Sequence, residues 1–192
     1  MSKKPRKRTT PKKRDPSWQL RHALGHTPPM RNLTATLCLT LAVLLGSAGM
    51  SVSQDFQKGV DAYDTGDYSL ALDEFTPLAE QGDASAQYNL GEMYRRGDGV
   101  PQDFATAMKW YTLAAEQGNA SAQYTLGLMY YNGDGVLQDY VYAQMWWNIA
   151  ASSGNKKASE NRDLVAKEMI PPQLAEAQRL ARECVAKNYK GC

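Results

Sequence analysis

Few side chains in this sequence are spaced for bond-making chemistry. Ser153-Gly154-Asn155-Lys156 has the S-x-x-K spacing, in which a lysine amine three residues on can activate a serine hydroxyl for acyl transfer. Enzymes that use it also carry K-T-G and S-D-N elements, and neither occurs here. Asp98 and Asp134 each stand between two glycines, in Arg96-Gly97-Asp98-Gly99-Val100 and Asn132-Gly133-Asp134-Gly135-Val136. The carboxylates are too few for an EF-hand, and no Lys-Ser/Thr follows to hold a phosphate. Asp73 and Glu74 are adjacent acids, but nothing sets two carboxylates across a cleft. Both histidines, His22 and His26, lie near the N-terminus. The remainder therefore lacks the commonest general base and the commonest metal ligand. No metal or cofactor is expected.

The residues that would position such groups are organised by a repeat. Residues 86–121 and 122–157 align without a gap and share 19 of 36 residues. A unit this short cannot bury its own apolar face and must stack on its neighbour. In each copy the spacing predicts helix A over about 86–95 and 122–131, with Ala86, Leu90 and Tyr94 on one stripe. Gly91 and Gly127 interrupt these helices, at a cost of ~1 kcal/mol each relative to Ala, so they are read as points of close helix–helix approach. Gly97 and Gly133 are expected as left-handed stops. Asp103 and Asp139 are expected as N-caps of helix B, over about 104–117 and 140–152. Ala107, Trp110, Ala114 and Ala143, Trp146, Ala150 then form an interlocking core face. A shorter copy occupies 55–85, four residues tighter at its turn, with Asp67 as N-cap. Beyond 158 the signature fades. A helix near 156–168 stops at Pro171-Pro172, and the stripe Leu174, Ala177, Ala181, Val185 predicts a second; the pair over 158–192 reads as a cap.

Charge divides the chain. Residues 1–53 carry ten Lys/Arg and one acid, whereas 54–192 carry twelve Lys/Arg and nineteen Asp/Glu. The repeat region is acidic, so nucleic acid is not its expected partner. Residues 1–29 are too basic and polar to bury a core and are expected to be disordered. Residues 30–53 read as a signal peptide: Met30-Arg31-Asn32, an apolar run over 33–46, then small residues. Translation is expected to start at Met30. The alternative is an uncleaved anchor in the inner membrane with a basic cytoplasmic tail. The run of about fourteen residues is shorter than the ~20 a spanning helix needs, which favours cleavage. Cys38 would leave with the signal. Cys184 and Cys192 remain, and an even pair in an exported chain reads as a disulfide rather than a redox pair, since the spacing is not C-x-x-C.

The pattern AxxxLGxMYxxGxGVxxDxxxAxxWxxxAAxxGNA closely resembles the Sel-one-like subclass of tetratricopeptide repeats. The resemblance covers about 55–158, departing at Val141 and Tyr142 and in the shortened first copy. It implies an all-α fold, an α/α superhelix (solenoid) of stacked antiparallel hairpins with a C-terminal capping helix pair. It also implies an interaction scaffold whose partner is a protein or peptide. Helix A lines the concave face in related hairpin repeats, so the partner-binding candidates are Asn89, Glu92 and Arg96 in one copy and Thr125, Leu128 and Asn132 in the next. Glu92 and Arg96 would pair with charged partner groups, and Leu128 would offer an apolar contact. The expected setting is the periplasm or the exterior, with membrane contact only through an uncleaved N-terminal segment. Some cysteine-rich relatives of these repeats are linked to β-lactam binding or hydrolysis, so an envelope serine hydrolase using S-x-x-K stands as the alternative.

Overall fold

The computed structural model describes residues 55–192, and the expectations for residues 1–53 lie outside that range. The described residues form eight α-helices and no strand. We number them α1 (55–65), α2 (Tyr68–Glu80), α3 (Ala84–Arg96), α4 (Phe104–Ala115), α5 (Ala120–Asn132), α6 (Tyr140–Ser152), α7 (Lys156–Val165) and α8 (Pro171–Ala186). None of them is long and apolar enough to cross a membrane.

Short side chains fix where helices begin. Asp67, Asp83, Asp103, Asn119, Asp139 and Asn155 each accept hydrogen bonds from first-turn amides, which otherwise have no helical partner. Helices α3 and α5 stop identically. Gly97 and Gly133 sit at φ 81° and donate to the Met93 and Met129 carbonyls. Gln102 and Gln138, each seven residues past the carbonyl they serve, donate to Arg95 and Tyr131.

Successive helices pack as antiparallel hairpins, and each hairpin stacks on the next. Gly91 and Gly127 are the points of closest approach, but the tryptophans of the alanine stripe are not what covers them. Tyr111 lies over Gly91 and Trp147 over Gly127. Each is one residue beyond the tryptophan singled out from the sequence, and Trp110 is only partly buried. A second device joins neighbouring repeats. Buried Gln87 and Gln123 donate their side-chain amides at 3.0 and 3.1 Å to the Ala79 and Ala115 carbonyls, near the end of the preceding helix. Those carbonyls lie where a helix runs out of its own donors.

The C-terminal helices close the stack unequally. Both α7 and α8 pack on α6, and α8 does not form with α7 the hairpin that earlier helices form. The reason lies in α7. Arg162 and Asp163 stand where Leu126 and Gly127 stand one repeat earlier, so the surface that accepted Trp147 is here an ion pair. Instead, α8 lays Ala177, Ala181 and Cys184 against the outer side of α6. Cys184 is disulfide-bonded to Cys192, with Cα atoms 5.4 Å apart. The closed loop reaches back to the first full repeat, where the Gly191 amide donates to Glu116 at 2.9 Å.

Candidate functional site

The three helices that open successive hairpins, α3, α5 and α7, line one groove of about 340 Å³. Five of the six candidates lie in it: Glu92 and Arg96 from α3, and Thr125, Leu128 and Asn132 from α5. Tyr88, Arg95, Tyr124, Asp134 and Lys157 complete most of the wall. Asn89 does not line it. Asn89 shares a helical edge with Arg96, seven residues on, but lies about two turns further toward the start of α3, where the groove wall does not take in that edge.

Within the groove the candidates are not equally available. Glu92 is only 9% exposed, and its carboxylate is already engaged. Arg95 donates from Nη2 at 2.7 Å, Arg96 from Nε at 2.9 Å, and the Tyr111 hydroxyl at 2.7 Å. Burial opposes its ionisation, but the hydrogen bonds from Arg95 and Tyr111 outweigh that, and its pKa falls below the usual carboxylate range. The same contact, after burial itself, pushes the Tyr111 hydroxyl well up, and Glu92 holds the Arg95 guanidinium firmly charged. Glu92 thus organises two arginines from within, rather than reaching for a partner. Thr125 is buried as well. Arg96, Leu128 and Asn132 keep accessible surface. Arg96 spends only Nε on Glu92; its two terminal nitrogens make no hydrogen bond among the described residues. Lys157 makes no ion pair among them.

Sequence reasoning missed Arg95 and Lys157. The i, i+3, i+4 spacing of Glu92, Arg95 and Arg96 was a readable signal of an ion-pair cluster. Lys157 comes from the next repeat, and only stacking brings it to the groove. At Leu128 and Asn132 the groove continues into a smaller apolar pocket of about 130 Å³, formed with Tyr131, Trp147, Leu164 and Val165.

A model of the family described as Sel1 repeat matches residues 84–119 and 120–155, the two spans in which α3–α4 and α5–α6 form their hairpins. The chain carries Sel1 repeats. Solved structures agree. It is similar to c5321, a protective antigen of uropathogenic Escherichia coli strains with an SLR fold, at 31% identity and TM-score 0.68; the match covers 72% of this chain and 31% of that one. It is also similar to a Sel1 repeat protein of Oxalobacter formigenes at 30% identity and TM-score 0.57, covering 67% and 55% respectively. The chain therefore spans about a third and about half of these relatives' lengths. No curated protein matches it.

The Sel1 frame also explains Ser153. It is the residue that closes α6, and it stands 36 positions after Gln117. Its hydroxyl donates to the Ile149 carbonyl, and no hydrogen bond links it to Lys156 among the described residues. The described residues contain no cluster of His, Cys, Asp or Glu suited to a metal. Asp98, in the first glycine turn, accepts from the Tyr63 hydroxyl at 2.7 Å and so ties that turn to α1. Burial, then this bond, raises the Tyr63 pKa to about 12.

Proposed function

We propose that this chain is a non-catalytic protein-binding module of the bacterial cell envelope, which holds a segment of a partner protein in the groove of α3, α5 and α7. The supporting observation is that the opening helices of three successive hairpins, far apart in sequence, bring one continuous set of accessible polar and apolar side chains together. The envelope setting rests on the signal-peptide pattern of residues 30–53 and on the Cys184–Cys192 pair, which suits an oxidising compartment.

Site-specific photo-crosslinking in cells tests the reading. A probe replaces Asn132, which is exposed and whose amide bonds only its neighbour Asp134, with a control at Glu176 on α8. A discrete adduct from position 132 alone is the expected result, and equal or absent adducts at both positions would refute it. The intact mass of the protein recovered from cells checks the setting: loss of the N-terminal segment is expected for export, and retention would mean a tethered adaptor.

A further inference from the structure

We propose that the groove selects an acidic, leucine-type peptide segment: one aliphatic side chain enters the pocket of Leu128, Tyr131, Trp147 and Leu164 while an adjacent carboxylate is bound by Arg96 and Lys157. This rests on the groove being the partner-binding face and adds the chemistry of what it takes.

Charge is the first argument. Between residues 55 and 155 the chain has four cations, Lys58, Arg95, Arg96 and Lys109, against fourteen acids. Two of those four sit in this groove, and α7 brings Lys157 to it. The groove therefore sets three cations against two acids beside an acidic run of repeats, and a low-dielectric concave wall concentrates such a field. Glu92 is saturated by Arg95, Arg96 and Tyr111, whereas Asp134 takes one hydrogen bond from the neutral amide of Asn132 and keeps its charge. Against that one carboxylate stand the terminal fork of Arg96, with its side chain 53% exposed, and the Lys157 amine. A guanidinium fork matches a carboxylate in two parallel hydrogen bonds. Because Glu92 already fixes Arg96 at Nε, that fork is held in place before any ligand arrives, which lowers the ordering cost of binding.

Shape is the second argument. The pocket beyond Leu128 and Asn132 holds about 130 Å³, room for one branched aliphatic side chain, and two aromatic rings and three aliphatic residues form most of its wall. Leu164 at its rim is 58% exposed, the type of uncovered apolar surface a bound side chain would shield. The two halves share Leu128 and Asn132, so neighbouring residues of one extended peptide can reach both.

The test uses the purified full chain on an array of random-sequence decapeptides, read against two variants: Arg96→Ser with Lys157→Glu, and Leu164→Ser. All three positions are exposed, and circular dichroism checks that the fold is kept. Residues 1–53 carry ten Lys/Arg of their own, so the reading is the set of peptides lost by a variant and not by the wild type. The proposal expects peptides rich in Asp or Glu beside Leu or Ile to weaken about tenfold in the charge variant, a loss of ~1.4 kcal/mol. Leu164→Ser should remove the aliphatic preference alone. Unchanged binding in both variants, a preference for basic peptides, or no retained peptide would overturn it. A position-132 adduct in cells together with a basic preference on the array would leave the groove reading standing and sink this one; failure of both experiments would sink both.

Discussion

In the first full repeat Tyr111 lies over Gly91 and donates its hydroxyl to Glu92; thirty-six residues on, Trp147 lies over Gly127 and donates its indole N–H to the Tyr124 carbonyl at 3.2 Å. Leu128 takes the place of Glu92, Tyr131 that of Arg95 and Asn132 that of Arg96. One backbone frame thus carries a charge network in one copy and aromatic packing in the next. The frame needs only a ring over a glycine and a partner for the ring's polar atom, because a buried donor left unpaired is costly. How that partner is supplied is free to vary, and the two solutions answer differently to pH and to substitution.

The glycines should separate the copies most. A Cβ at Gly91 would sit 2.8 Å from Cε1 of Tyr111, and one at Gly127 would press still closer on the Trp147 indole. Gly127→Ala should cost about 3 kcal/mol and Gly91→Ala about 2, since overpacking a filled core typically costs ~1–3. Urea unfolding measures both, and equal losses would mean that the indole is not the tighter neighbour. Next comes a transplant. Glu92→Leu alone should cost about 2 kcal/mol, because Arg95 and the Tyr111 hydroxyl lose a charged partner. Glu92→Leu with Arg95→Tyr and Tyr111→Trp should recover most of that, by copying the second repeat at the buried and half-buried positions of the network and leaving only the exposed Arg96 unexchanged. A triple variant no better than the single one would show that the copies are not interchangeable.

A pH series sharpens the contrast. The folded pKa of Glu92 lies below its ordinary 4.5, so its contribution is complete above that value and is lost as pH falls through the folded pKa. Wild type should therefore lose stability in the acid range below about 4.5, and Glu92→Gln should flatten part of that slope. An unchanged slope would mean that other carboxylates dominate. The smallest effect concerns a repair. Gln117 donates to Gln87 Oε1 at 2.8 Å, but its counterpart is Ser153, and the matching Gln123 Oε1 has no partner among the described residues. Ser153→Gln should restore the link and raise stability by ~0.5–1 kcal/mol in thermal unfolding, the ordinary net value of a hydrogen bond.

The stacked fold was legible because the period and the breakers agree. Gly97, Gly133, Asp103 and Asp139 each perform the local task their residue type suggests, and local tasks need no knowledge of the rest of the chain. The groove was legible in part. Five candidates fell in it because helical spacing alone assigns an edge, yet spacing assigned Glu92 to a partner when its third donor, Tyr111, is nineteen residues away. Asn89 shares that edge through its i, i+7 relation to Arg96, yet the groove wall does not extend to it, and spacing alone does not say how far along a helix a groove runs. The rings over the glycines, Tyr111 and Trp147, were not assigned from the sequence: the alanine stripe singles out Trp110 and Trp146, of which Trp146 is buried and Trp110 only partly so, and contact across two helices is set by side-chain direction as well as size.

The ion pair of Arg162 and Asp163 bears on what happens when many copies meet. A stack of identical hairpins is open-ended: its last surface resembles the one on which it has just grown, so a second molecule could dock there, and a third on that. Contacts of this head-to-tail kind yield filaments wherever the rotation from copy to copy does not close into a ring. Two charged residues at the positions of a leucine and a glycine make the last surface a poor copy of the previous one. The same pair of charged residues that accompanies the sideways seat of α8 on α6 thus leaves the end of the stack without the leucine-glycine surface on which another hairpin would grow.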